Sequence, residues 1–271
     1  MNRPLVAIVG LGQIGGSFAA ALSKRRLASV VGVTRRPGTA GRARRMGILS
    51  RAGTDLAAVA DADVVVLATP VRTLLRQIPE IAPRVSRDAI LTDVGSTKTD
   101  IVAAFRRANP AATVVAGHPM AGNERAGLDG CDPKLFEGRP WVLIGDRSKA
   151  ALLERLVVGV GARPLWMKSP QDHDVKVARV SHIPYLLSYA LMGTPEDSVR
   201  VCGNSFRDAT RVAASDPDMV LDFLLTNRGP IRRSAGELRQ RLEKLLRSID
   251  RGDAAGLRRM LARARELRSR I

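Results

Sequence analysis

Leu5-Val6-Ala7-Ile8-Val9-Gly10-Leu11-Gly12-Gln13-Ile14-Gly15 is the stretch whose reading decides the fold. Five consecutive apolar residues read as a short buried strand, Gly10 and Gly12 as a turn, and the small residues from Gly15 to about Arg25 as a helix. In this arrangement the first glycine permits a tight turn and the second lets the backbone approach a pyrophosphate. The third lets the helix pack closely on the strand, and the helix N-terminus presents N–H donors to the phosphates. Gly10, Gly12, Gln13, Ile14 and Gly15 are therefore candidate contacts to a dinucleotide.

Further strands are expected at 29–34, 62–68, 89–93, 113–116, 141–144 and 164–167, with helical patterns between several of them. The run Ala62 to Ala68 (ADVVVLA) is continuously apolar, as a parallel strand covered on both faces must be. Alternating strand and helix predicts an α/β fold, a Rossmann-type doubly wound sheet, over residues 1–168. After Ser169-Pro170 no β-branched run recurs and apolar residues take helical spacing, so residues 169–271 are expected to be all-helical. One apolar stripe would carry Val177, Val180 and Leu187, and another Leu257, Met260, Leu261, Ala264 and Leu267, with arginines on the other faces.

The residue that would hold the adenosine ribose lies about 20 positions after the glycines, at the end of the second strand, and in an NAD binder it is usually acidic. Here the positions are Thr34, Arg35 and Arg36. A hydroxyl and two guanidiniums can hydrogen-bond and neutralise a 2′-phosphate that a carboxylate would repel. NADP is the expected cofactor, with NAD the alternative.

Composition narrows the partners. The chain has 271 residues, 45% of them hydrophobic, enough for two moderate cores. Its formal net charge is +18, and all but seven of its 44 basic residues are arginine, which asks for an anionic partner. A basic nucleic-acid-binding protein is the non-enzyme reading, supported by the arginine-rich ending from Arg258 to Arg270. An aromatic content of 3% argues against it by leaving little for base stacking. Cys131 and Cys202 stand far apart, in no spacing that suggests a disulfide framework or a metal site, and fit a reducing compartment. Met1-Asn2-Arg3-Pro4 runs straight into the first strand, and no apolar run approaches the roughly 20 residues that span a bilayer. A cytoplasmic protein without membrane contact is expected.

Three further segments sit where they can converge on a nicotinamide: Asp93-Val94-Gly95-Ser96-Thr97-Lys98, Gly117-His118-Pro119-Met120-Ala121-Gly122, and Ser181-His182-Ile183-Pro184. The first two follow strands, where open α/β sheets bind their ligands. The third interrupts the first helix of the second half. Together with the N-terminal glycines and Phe206-Arg207-Asp208-Ala209-Thr210-Arg211, these segments closely resemble the prephenate/arogenate dehydrogenase (cyclohexadienyl dehydrogenase) family, over nearly the whole chain and in the same order.

The resemblance implies oxidative decarboxylation of an anionic cyclohexadiene in tyrosine biosynthesis. Hydride passes from the hydroxyl-bearing ring carbon to the nicotinamide, the ring carboxylate leaves as carbon dioxide, and the ring becomes aromatic. His118 would be the base for the hydroxyl proton, a task suited to imidazole near neutrality. Ser96 would orient the same hydroxyl or the histidine, and Arg211 would bind a substrate carboxylate through its planar fork. His182, Glu124 and Tyr185 are the remaining candidate substrate contacts. Each has a plainer alternative: Ser96 as a helix cap, His182 as an interhelical histidine, Glu124 as a surface charge and Arg211 as a bridge between helices.

Many prephenate-preferring members carry a second histidine where this chain has Tyr185, and the tryptophan that usually follows methionine is Val220 here. With the NADP-type Thr34-Arg35-Arg36, this points to arogenate, with prephenate as a further substrate and 4-amino-4-deoxyprephenate as the alternative. The resemblance also implies that the helical half is a dimerisation domain, so its apolar stripes are expected to meet a second copy.

Overall fold

The computed structural model describes residues 3–49, 51–108, 110–123 and 125–270. Eight strands form one sheet: β1 (Leu5–Val9), β2 (Ser29–Val33), β3 (Arg51–Gly53), β4 (Val64–Leu67), β5 (Ile90–Asp93), β6 (Thr113–Pro119), β7 (Pro140–Gly145) and β8 (Arg163–Trp166). Their spatial order is β3-β2-β1-β4-β5-β6-β7-β8. The first six are parallel, in the doubly wound order 3-2-1-4-5-6. β7 joins β6 antiparallel, and β8 runs parallel to β7. The short edge strand β3 was not anticipated, because Arg51-Ala52-Gly53 has no apolar run to announce it.

Alternation along the strands divides the core in two. Val6, Ile8, Val64, Val66 and Val115 face helix α1 (Gln13–Lys24), while Ala7, Val9, Val65, Leu67 and Leu91 face the opposite layer. α2 (Pro37–Arg45) follows β2. The opposite layer is α3 (Val71–Ile81) and α4 (Thr99–Ala108), which bury Leu74, Ile78, Ile81, Ile101 and Phe105. α5 (Ala151–Gly159) returns to the α1 side with Leu153, Leu156 and Val157. Because the crossovers reverse direction at β1, the carboxyl ends of β1 and β4 flank a crevice, and the loops after β1, β4, β5 and β6 open on that edge of the sheet.

Seven helices follow: α6 (Pro170–Val177), α7 (Ile183–Leu191), α8 (Glu196–Val199), α9 (Asn204–Thr210), α10 (Pro217–Thr226), α11 (Arg228–Asp250) and α12 (Ala254–Arg268). Residues Ala178–His182 form a π-helical turn that joins α6 to α7, so the Ser181-His182-Ile183-Pro184 segment widens the helix without breaking it. Such turns carry one residue more than the α-helical count. This displaces the expected stripe: Val177 is buried, but Val180 is 69% and Leu187 44% exposed. The core of this half is small, built on Ala178, Ile183, Val220, Phe223 and Ile231. Leu191, Met192, Leu221, Leu225, Leu242, Leu246, Ile249, Leu261 and Leu267 remain exposed in the single chain. No helix among the described residues is long and apolar enough to cross a membrane.

Arg72 of α3 and Asp222 of α10 tie the two halves together, the guanidinium Nε donating to Asp222 Oδ1 at 2.5 Å and the backbone N–H to Oδ2 at 3.2 Å. The glycine turn is equally constrained. A Cβ on Gly15 would stand 2.0 Å from the backbone oxygen of Gly10 and 2.9 Å from Ala68 Cβ. Neither neighbour can step aside without moving a strand end, so Gly15→Ala is expected to cost more than the ~1–3 kcal/mol typical of overpacking. A chemical-denaturation midpoint equal to that of the unmodified protein would contradict this account.

Candidate active site

The glycine loop presents an open cradle. Gly10 has φ +105°, which only glycine adopts freely, and α1 begins at the bare backbone of Gly12 with no side-chain cap. A Cβ built on Gly12 would meet nothing within 4 Å. Uncapped N–H groups beside open space fit a pyrophosphate. The side chain of Gln13 is committed elsewhere. Its Nε2 donates to Asn123 Oδ1 and the Arg125 carbonyl, both at 2.6 Å, and its Oε1 accepts the Asn123 N–H at 3.1 Å. Only the backbone of Gln13 is left for a phosphate, while its amide fastens the loop beyond β6 to α1. At the end of β2, Arg35 and Arg36 are exposed and Thr34 is half-buried. α2 starts directly after them with Pro37 and no side-chain cap.

The catalytic side of the crevice is built on close approach of β5 and β6. A Cβ on Gly117 would lie 2.5 Å from the Asp93 backbone oxygen, so only glycine lets these ends meet. Asp93 and Lys98, both fully buried, form an ion pair, and Lys98 Nζ also donates to the Gly117 carbonyl at 2.7 Å. Asp93 further accepts the N–H groups of Gly95 (2.8 Å) and Gly117 (3.2 Å). Ser96 stands half-buried in this loop without a hydrogen bond among the described residues, so it does not cap α4. The cap of α4 comes from the other half: Asp174 of α6 accepts the N–H of Lys98 at 2.7 Å and of Thr99 at 2.8 Å.

His118 is the penultimate residue of β6, 8% exposed, with its Nδ1 2.9 Å from Nε2 of His173. His173 is fully buried on α6, and its Nδ1 lies 2.8 Å from Asp174 Oδ1. Asn227, just before α11, donates from Nδ2 to the Asp174 carbonyl (2.8 Å) and shares a hydrogen bond with His182 Nδ1 (3.1 Å). Because the carbonyl can only accept, Nδ2 is the donor in both, and neutral His182 carries its proton on Nε2. That Nε2–H is buried and has no hydrogen-bond partner among the described residues. The His182 ring stacks on Phe223 (centroids 4.2 Å apart, planes 7°), and Tyr185 meets the same phenyl ring edge-on at 5.2 Å.

The structure thus joins His118 to His182 through His173, Asp174 and Asn227, and joins Tyr185 to His182 through Phe223. Arg211 is exposed where α9 gives way to a 3₁₀ turn. α9 is fixed to α7 by the buried Ser188 hydroxyl, which donates to the Ala209 carbonyl at 2.6 Å. Glu124 lies outside the described residues. Sequence reading placed Asp93 and Lys98 in the converging loop without giving them roles, and missed His173, Asp174 and Asn227. One signal was available, since the chain has only three histidines and all three belong to this network. No metal-binding cluster of His, Cys, Asp and Glu occurs among the described residues.

Burial dominates the electrostatics. It pushes His118 well below 6.5, assisted by the positive fields of His173, Lys98 and His182. Burial also lowers His173, against the pull of Asp174, and brings His182 down to about 4. Burial would raise Asp174, but hydrogen bonds from His173, Thr99 and Lys98 outweigh it and hold the carboxyl below its ordinary range. Three histidines depressed in the folded state bind protons mainly after unfolding, so stability falls with acidification. The contribution of His182 is complete above its ordinary 6.5 and is lost as pH drops towards about 4 and below, on the order of 3 kcal/mol in all. Melting temperature measured from pH 8 to pH 4 should decline through this window, and less steeply in His182→Gln. A flat profile would contradict the assignment of buried neutral imidazoles.

The nucleotide-binding domain of prephenate dehydrogenases matches residues 18–164, and their dimerization domain matches residues 169–263. The prephenate dehydrogenase of Bacillus subtilis is 31% identical over 281 residues, covering 98% of this chain and 76% of that protein. Among solved structures, prephenate dehydrogenase from A. aeolicus in complex with hydroxyphenyl propionate and NAD+ superposes with a TM-score of 0.90 at 30% identity, covering 100% of this chain and 99% of that one. Synechocystis arogenate dehydrogenase gives 0.84 at 29% identity, with 98% and 99% covered. With its glycine cradle for a nicotinamide dinucleotide and its buried histidines where sheet and helices meet, the chain belongs to the prephenate dehydrogenase family.

Proposed function

We propose that the protein is an NADP-dependent arogenate dehydrogenase, also able to use prephenate, that acts in tyrosine biosynthesis as a cytoplasmic homodimer. The observation that carries the reaction is His118: its Nδ1 is engaged by His173, and its Nε2 has no hydrogen bond among the described residues. In this reading residues 1–168 hold the cofactor, and residues 169–271 supply substrate contacts and the dimer face. The exposed leucines of α7, α10, α11 and α12 support that face.

When bound, the nicotinamide supplies the hydride acceptor. The chain's own residues do the rest. Gly10, Gly12 and Gly15 admit the pyrophosphate, the backbone N–H groups of Gln13 and Ile14 hold it, and Thr34, Arg35 and Arg36 hold the 2′-phosphate. His118 Nε2 accepts the ring hydroxyl proton, so that the C–O bond gains double-bond character as the carbon loses hydride. Ser96, uncommitted and half-buried, orients that hydroxyl. The His182 Nε2–H, without a partner among the described residues, is a donor for an acceptor group of the substrate, and Arg211 pairs with a substrate carboxylate. Tyr185, held against Phe223, takes the place of a second histidine near the side-chain end, which favours the alanyl substituent of arogenate over the pyruvyl one of prephenate.

Initial rates with arogenate, prephenate and the 4-amino analogue, each with NADP and NAD, test this directly. The expected order is arogenate above prephenate, with kcat/KM higher for NADP, and Arg35→Ala weakening NADP selectively. Equal or better rates with NAD in the unmodified protein would refute the cofactor assignment.

Arg211 should act in binding more than in chemistry. A charged fork on a carboxylate is worth about 1.5–3 kcal/mol, so Arg211→Ala should raise KM roughly tenfold to a hundredfold, and Arg211→Lys should recover only part. A normal KM together with a lowered melting temperature would instead identify Arg211 as a bridge between helices.

A further inference from the structure

The hydrogen bonds around His173 leave one consistent assignment of protons. Asp174 accepts two backbone N–H groups from the start of α4, which fixes it as an acceptor, so His173 Nδ1 must carry the proton directed at Oδ1. Neutral His173 then has only a lone pair at Nε2, and that atom faces His118 Nδ1 at 2.9 Å. His118 Nδ1 must therefore be the donor, and the lone pair of neutral His118 lies on Nε2, the atom left without a hydrogen bond among the described residues. Were His173 charged, its Nε2–H would donate to His118 Nδ1 instead, moving the His118 proton to Nε2 and abolishing the base.

We propose that His173, locked by Asp174, is a positioning residue that holds His118 in the Nδ1–H tautomer and shares the charge His118 acquires on taking a proton. This deepens the reading of His118 as the base and rests on it. Proton balance is simple: the substrate O–H bond breaks, the His118 Nε2–H bond forms, and the Nδ1–H already points along the relay. The resulting imidazolium then faces Asp174 through one imidazole. A carboxylate that orients a catalytic histidine directly is familiar from the serine-hydrolase triad; here a second ring is interposed.

The charged and titratable groups around the relay are His173 and Asp174 from α6, Asp93 at the end of β5, Lys98 from the loop before α4, and His182 from the π turn. Lys98 opposes protonation of both His118 and His173, so the same buried ammonium that braces Gly117 keeps the relay in its neutral, competent form. Asp174 favours protonation at His173, which draws the added charge towards the carboxylate end of the relay when the base is protonated.

The test is steady-state kinetics of the full chain with its best substrate and saturating NADP, for His173→Gln, His173→Leu, Asp174→Asn and the reference His118→Ala. Glutamine keeps an acceptor for His118 Nδ1–H but cannot become a cation, and leucine removes both functions. His173→Leu should lower kcat by ~10²-fold or more, within the range of general-base effects, with KM values for substrate and cofactor near normal; glutamine should restore a large part. In Asp174→Asn, loss of the anion should move the acid limb of the kcat profile to lower pH and lower its plateau, because the base is weakened. If His118→Ala is severely impaired while His173→Leu turns over near-normally, or if leucine and glutamine lower kcat equally, the relay is wrong and the base stands. Near-normal turnover by His118→Ala overturns both. Should Asp174→Asn fail to fold, the two His173 variants decide the matter alone.

Discussion

The carboxylate of Asp174 belongs to the helical half of the chain, but it is bonded to the backbone of the other half. By accepting the N–H groups of Lys98 and Thr99 it supplies the negative end that α4 requires at its N-terminus, and by accepting from His173 it fixes a ring that touches His118. One buried anion thus caps a helix, joins the sheet to the helices and orients the site. Its neighbours share the constraint. Asn227 reads the Asp174 carbonyl and passes the alignment to His182, so three histidines from two halves are set by a single point of attachment.

Such a centre is stable only because its charges are matched. Asp93 and Lys98 are buried with each other, and every oxygen of Asp93 accepts a backbone or ammonium proton. An unpaired charge in this position would cost several kcal/mol. The pair does more than survive burial: Lys98 holds the Gly117 carbonyl, and thereby the end of β6 from which His118 projects. The imidazoles stay neutral in this environment because burial opposes their charged form.

The helical half contrasts with this order. Its own core is small, while long apolar side chains on α7, α10, α11 and α12 face outward. Arginines occupy the remaining faces of α11 and α12, several in i,i+3 and i,i+4 pairs with Glu237, Glu243 and Glu266. Much of the +18 charge is therefore solvated helix surface around apolar seams, and the arginine-rich ending reads as one face of an amphipathic helix.

Local chemistry was legible in the sequence wherever a function needs contiguous residues. The glycine turn, every strand of the doubly wound sheet but β3, and the change to helical spacing after Ser169-Pro170 all follow from neighbours along the chain, because a turn, a pleat and a helical face are defined within a few residues. The same is true of the position of Gly117-His118 at the carboxyl end of a strand. The relay was not legible, because its members are far apart: His173 lies 55 residues from His118, Asp174 is 76 from Lys98, and Asn227 is 53 from Asp174. Tertiary structure alone also committed the Gln13 side chain to the loop beyond β6, and moved Val180 out of the buried stripe by a π turn that no helical period foretells. Sequence determined which groups could do chemistry; packing of the α6–α7 helix against the β5 and β6 ends decided which of them meet, since a hydrogen bond between distant residues exists only where the fold brings donor and acceptor within about 3.2 Å.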